Sequence, residues 1–204
     1  MSNENSVAAT LVGDATNIYG AIDRDKVHGL NLTVPEDAKE LIKPWDQRDD
    51  TAKFAESSVD DQIIIHVPFA EGVKIKALLL KTGRGETTPR RLQIFVNYPQ
   101  IIDFSDAENT KPHIDMALLE GESGVTEYPL RKPVFSTVSS LSLFFSDSVG
   151  GDMSQIYYVG FKGELRNLQK DANEKMDIRA ANAADAPIVD RLQEKSGGQS
   201  TTAR

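Results

Sequence analysis

The 204-residue sequence contains no cysteine. Disulfides, thiolate nucleophiles, zinc–thiolate centres and iron–sulfur clusters are excluded by that absence, and any redox chemistry would need a borrowed cofactor. Imidazoles are almost as scarce. His28, His66 and His113 are the only three, and they sit in separate segments without the close spacing of a metal-binding pair. No segment approaches the length needed to span a bilayer, and the start MSNENSVAAT has neither the basic residues nor the apolar stretch of a secretory signal. The expectation is a soluble intracellular protein, in which the sequon Asn31-Leu32-Thr33 goes unmodified. A Gly-x-Ser-x-Gly elbow is also missing, which disfavours a hydrolase of that type.

Positive charge is in short supply, and unevenly so. The formal net charge is −8. From Glu164 to the end, seven basic residues balance seven acidic ones, so residues 1–163 carry the whole excess. An acidic body repels phosphate backbones and anionic lipid, which argues against nucleic acid or a membrane as partner and for a basic protein surface.

With 39% apolar residues the chain can build one domain with a sizeable core. Period-two alternation dominates it. Ile63, Ile65, Val67 and Phe69 fall on one face of residues 62–69, and Val73, Ile75, Ala77 and Leu79 on one face of 73–79. Leu92, Ile94 and Val96, then Leu141, Leu143 and Phe145, then Tyr157, Val159 and Phe161 repeat the pattern. Turn signals at Glu71-Gly72, Gly83-Arg84-Gly85, Pro99, Gly121 to Gly124 and Gly150-Gly151 separate these runs. An all-β sandwich is the expected class. Thr33-Val34-Pro35-Glu36 has capping-box spacing and predicts a short helix to about Ile42. Residues 1–12 and the tail 166–204 are expected to be flexible, with a transient helix at 176–186, leaving 13–165 as the domain.

The run RLQIFVNYPQIIDFSDAENTKP at 91–112 adds a more specific signal. It joins a strand, an Asn-x-Pro turn, Asp-Phe, an Ala-Glu pair and a later Pro, here Asn97, Pro99, Asp103, Phe104, Ala107, Glu108 and Pro112. With IYGAIDRDKVHGLN, VDDQIIIHVPFAEGVKIKALLLKTGRG and IYYVGFKGEL, it resembles the PITH domain over residues 18–165. That resemblance implies a jelly-roll, galactose-binding-like β-sandwich. It also implies association with the 26S proteasome regulatory particle, a cytoplasmic and nuclear location, and no catalytic residues. With no Cys-x-x-Cys, the chain looks like the stand-alone form and is expected to lack disulfide reductase activity. Its partner is expected to be a protein, its free form a monomer, and no cofactor is expected.

The family's recurrent positions, Leu30, Asn31, Asn97, Pro99, Asp103, Phe104, Ala107, Glu108 and Pro112, read physically as turn and loop locks, with a role in an interface as the alternative. Trp45, the only tryptophan, could stack on a sugar if exposed, in a carbohydrate-binding alternative; as a lone aromatic it is expected instead to clamp its loop to the core. His66 should face away from the apolar side of its strand. The pairs Asp49/Asp50, Asp60/Asp61, Asp103/Asp106 and Asp147/Asp152 lack EF-hand spacing and read as solvated loops; a structural Ca²⁺ at Asp147 to Asp152 is a minor alternative suggested by the fold resemblance. Gly83-Arg84-Gly85 with Thr87 and Thr88 lacks a P-loop ending and reads as a tight hairpin.

Overall fold

The alternations at 63–69 and 73–79 belong to one strand, although Glu71-Gly72 between them signals a turn. A computed structural model describes residues 16–166. The expected N-terminal flexible segment, the tail beyond Arg166 and the helix at 176–186 lie outside the described residues. Strands β1 (Thr16–Asn17), β2 (His28–Leu30) and β3 (Ala55–Glu56) are short, and the helix α1 (Asp37–Glu40) lies between β2 and β3. Then follow β4 (Ile63–Thr82), β5 (Pro89–Val96), the helix α2 (Phe104–Asn109), β6 (Ile114–Ala117), β7 (Thr126–Pro129), β8 (Val138–Ser148) and β9 (Gln155–Leu165).

β4 runs for 20 residues. Its first part pairs antiparallel with β2 and β8, and its second part with β7 and β9, with a register break between Pro68 and Val73. Hydrogen-bonded order along the main path is β1-β9-β4-β8-β5-β6. One strand is thus common to two layers, β2–β4–β8–β5–β6 and β7–β4–β9–β1, with β3 also on β9. Among the described strands, only β5 and β6 are neighbours both in sequence and in the sheet. The Gly83 to Gly85 segment, expected as a hairpin, therefore carries the chain from one layer to the other, as does Gly150-Gly151 between β8 and β9. Such crossings are what a jelly roll requires.

The inner faces enclose one core. Ile63, Ile65 and Val67 meet Leu92, Ile94, Val96, Leu141, Leu143 and Phe145 there, as their alternation predicts. Further on, two bulges shift the phase. Ile75 faces Gly163 but Ala77 faces Lys162, so Lys76 is an extra residue, and Leu78 and Leu80 replace Ala77 and Leu79 on the core side. In β9 the same device at Tyr157 puts Ile156 inward, with Val159 and Phe161, while the Tyr157 ring lies 5.6 Å from that of Phe54.

α1 is only four residues long, and the expected capping box does not form. Thr33 Oγ1 instead donates to the Ser57 carbonyl at 3.2 Å, because Leu32 and Ser57 form a bridge that engages this segment. Ala38, Leu41 and Ile42 are nonetheless fully buried. A second apolar cluster lies on the other face of the β4–β8–β5 layer, where Ile64, Phe95 and Phe144 are covered by Ile102 and Ala107, with Leu30, Tyr98 and Phe104 at its margin. That cover explains why Ile63, Ile64 and Ile65 are all apolar: this layer is buried on both sides.

Candidate functional site

Asn31 and Asn97 both sit at positive φ, 60° and 52°. Asparagine tolerates this conformation because its side chain bonds locally. Asn31 Nδ2 donates to Asp60 Oδ1 at 2.6 Å and the Gln62 carbonyl at 2.7 Å, and its Oδ1 accepts from Val59 N at 3.1 Å. Asn97 Nδ2 donates to the Thr137 carbonyl at 2.9 Å, while its Oδ1 accepts from Ser139 N at 2.7 Å and Ser140 N at 3.2 Å. The two staples secure opposite ends of one layer, since β4 lies between them.

Asp103 caps α2, accepting from Asp106 N at 2.7 Å. The cap starts the helix that lays Ala107 over the outer cluster, and Phe104 meets Phe144 edge-on at 5.9 Å. Leu30, Phe104 and Ala107 therefore come together, whereas Pro99 is exposed in the loop before α2. Glu108 and Pro112 border a shallow cleft of about 430 Å³ with Arg91 and Asp147. Beside it Arg91 grips Asp115 through both carboxylate oxygens, at 2.9 and 2.7 Å, and holds the Asp115 carboxyl below the usual carboxylate range.

Trp45 does not clamp its loop. It is 44% exposed, and the Arg48 guanidinium lies over its ring, 4.2 Å from the centroid. The clamp is Lys43, two residues earlier and only 5% exposed. Its Nζ donates to the carbonyls of Asp50, Lys53 and Tyr157 at 2.8, 2.7 and 3.0 Å, and its burial pushes the ammonium pKa down. With this hydrogen-bonded anchor in place, the indole is free to face solvent.

Two of the imidazoles, His28 and His66, face each other across β2 and β4. His66 Nδ1 is 3.1 Å from Ser142 Oγ, on the neighbouring strand, and its pKa is lowered by burial and then by His28, its cross-strand partner. His113 Nδ1 accepts from Val96 N at 3.1 Å. Among the described residues no three His, Asp or Glu side chains converge to hold a metal ion. Thr88 Oγ1 donates to the Gly83 carbonyl at 2.8 Å within its own turn, and Thr87 Oγ1 to Gln155 Oε1 at the start of β9 at 3.2 Å, so both hydroxyls serve the protein's own structure.

Three loops at one end of the sandwich, 56–62, 83–88 and 147–155, are laced together. Asp61 Oδ2 accepts from Ser148 N at 2.6 Å, and its carbonyl accepts from Ser154 Oγ at 2.6 Å. Ser154 N donates to Ser57 Oγ at 2.9 Å. Gly150 N donates to the Glu86 carbonyl at 2.8 Å, an approach so close that a Cβ at Gly150 would lie 2.9 Å from that of Glu86. Asp60 and Asp61 are thus loop fasteners. Sequence reasoning missed Lys43, the Arg91–Asp115 clasp and this lacing. The Asp103-x-x-Asp106 spacing was a readable sign of α2.

Residues 8–181 match the PITH domain. PITH domain-containing protein 1 of Danio rerio is 34% identical over 172 residues, covering 84% of this chain and 81% of that protein. PITH domain-containing protein CG6153 of Drosophila melanogaster is 33% identical over 157 residues, with 77% and 74% covered. Among solved structures, a fucolectin from striped bass (Morone saxatilis) serum superimposes with a TM-score of 0.52 at 12% identity, over 75% of this chain and 50% of that one. The CBM32-1 and CBM32-2 domains of Clostridium perfringens ZmpB give 0.50 at 10% identity, over 80% and 39%. These likenesses identify the fold as a galactose-binding-like jelly roll. By the length of the match and the identity of its relatives, the chain belongs to the PITH domain family.

Proposed function

We propose that this chain is a noncatalytic protein-interaction module that associates with the 26S proteasome regulatory particle or a related regulatory assembly. The observation that carries the reading is the way its polar residues are used. Asn31, Asn97, Asp60, Asp61, Asp103 and His113 spend their side chains on fastening backbone, and no acid, base and nucleophile are assembled together among the described residues. What reaches solvent is an acidic surface on a domain with an excess of negative charge. A basic protein surface complements it, and cytoplasmic and nuclear residence as a free monomer fits that role.

The test is affinity capture from native extract at low and moderate salt, with mass spectrometry of the retained proteins. Regulatory-particle subunits held at low salt and released as ionic strength rises are the expected result. Capture that ignores salt would remove the electrostatic part, and absence of those subunits would remove the proteasome. A parallel capture with a chain ending at Leu165 asks whether the tail adds affinity.

The exposure of Trp45 favours a second reading, a small-ligand or carbohydrate site in which the indole stacks on a sugar. The fold is shared with a lectin, but fold does not carry function. Arg48 already occupies one face of the ring, so a sugar must use the other or displace it. Quenching of Trp45 fluorescence by members of a glycan panel would support this reading; a flat response would dismiss it.

A further inference from the structure

We infer that the laced loop end, residues 56–62, 83–88 and 147–155, is the docking platform, and that its occupant is a protein segment rich in Lys and Arg that carries apolar anchor side chains. This rests on the reading of the chain as a protein-interaction module and names the surface it uses.

Apolar side chains stand exposed where they have no structural duty. Val59 is 86% exposed, and Val149 and Met153 are 38% exposed each. All three project from loops that hydrogen-bond one another through Asp61, Ser57, Ser148 and Ser154. Partly buried and wholly exposed apolar groups on a fixed backbone can accept a partner's apolar anchors without first being ordered.

The charge around them is predominantly negative. These loops carry Glu56, Asp60, Asp61, Glu86, Asp147 and Asp152 against Arg84 alone. Asp60 and Asp61 receive hydrogen bonds from neutral donors, Asn31, Gln62 N and Ser148 N, which fix the carboxylates without cancelling their charge. Two further cations border the platform, Arg91 paired with Asp115 and 4.0 Å from Asp147, and Arg90 donating to the Ser148 carbonyl at 3.2 Å, and the six carboxylates still outnumber them and Arg84. The field therefore favours a cationic partner.

Other occupants fit less well. Nucleic acid and anionic lipid meet repulsion. A sugar finds no stacking ring, because the three loops contain no aromatic residue. The described chain ends also stay clear, since Thr16 pairs with Gly163 and Arg166 N bonds the Gly72 carbonyl, at the far end of β9 from Gln155. Ten residues of strand separate Gln155 from Leu165, about 33 Å.

The test uses the full chain and three variants, each checked for an unchanged melting temperature. Glu86→Lys with Asp152→Lys reverses platform charge; Val59→Ser with Met153→Gln removes the anchors' seats. Asp25→Lys with Glu71→Lys makes the same charge change away from the platform. Each is used to select from a displayed random-peptide library and is also measured against purified 26S regulatory particle. Selected peptides should combine Lys or Arg with apolar residues, and enrichment should fall about tenfold or more for both platform variants and less than about twofold for the third. Acidic or featureless selected peptides, no selection at all, or equal loss in the third variant would overturn the inference. Regulatory particle bound equally by all variants would overturn it while leaving the proteasome reading intact. Basic–apolar selection lost only in the platform variants, with no binding to the particle, would sustain the platform and dismiss the proteasome.

Discussion

Replacing Asn97 separates two contributions that the structure combines at one residue. Its φ of 52° costs an ordinary Cβ-bearing residue about 1 kcal/mol, and glycine nothing. Its side chain makes bonds to the Thr137 carbonyl, Ser139 N, Ser139 Oγ and Ser140 N. Because these are solvent-exposed, each contributes about 0.5 kcal/mol, or about 2 kcal/mol together. Asn97→Ala should lose both terms, about 3 kcal/mol, while Asn97→Gly should lose the bonds alone, about 2 kcal/mol. Asn97→Asp keeps the acceptor but points an oxygen at the Thr137 carbonyl, and should fall near 1 kcal/mol. Urea denaturation with an unchanged m-value is the assay. If Ala and Gly prove equal, the backbone term is refuted; if both stay below about 0.5 kcal/mol, the staple holds nothing.

Lys43→Met strips three carbonyls of their donor while sparing the cost of burying an ammonium, and should destabilise by about 2–3 kcal/mol with faster proteolysis in residues 44–53. Undiminished stability would mean that water serves those carbonyls equally well. His66 has a folded pKa below its ordinary 6.5, so the folded state binds fewer protons than the unfolded state between those values. Its contribution is complete above about pH 6.5 and is lost as pH falls through that value toward the lowered one, so the stability difference between the parent and His66→Gln should change as pH falls below about 6.5. Parallel pH profiles would contradict the assignment. Phe104→Ala opens the outer cluster under α2 and should cost about 2–3 kcal/mol, and Phe104→Leu should recover most of it; equal losses would point to ring-specific contact with Phe144.

The alternations at 63–67, 92–96 and 141–145 could be read directly, because regular pairing preserves a period of two. Lys76 and Tyr157 broke that reading, since a bulge is a property of two paired strands and neither strand records it alone. Strand order stayed hidden for a related reason: glycine-rich turns mark where the chain bends, but not whether it returns to the same layer. Asn31 and Asn97 were legible as turn residues because asparagine's local bonding is chemical rather than topological. Lys43 was not, since a buried lysine has the same sequence appearance as a surface one. Val59, Val149 and Met153, apolar residues isolated in polar loops, offered a signal that alternation searches pass over.

The strand common to both layers also sets a timetable for synthesis. Lys76 meets Glu164, 88 positions later, and the second half of β4 is bordered by β9 over most of its length. A ribosome adding about 5–20 residues per second needs about 4–18 s to make the intervening chain. During that interval Ile63 to Leu80, among the most apolar stretches of the molecule, is already made while the β9 that will flank it is not. Along this half of β4 the edge stays unpaired by β9 until β9 emerges, and a stall before Tyr158 would leave an open β edge there.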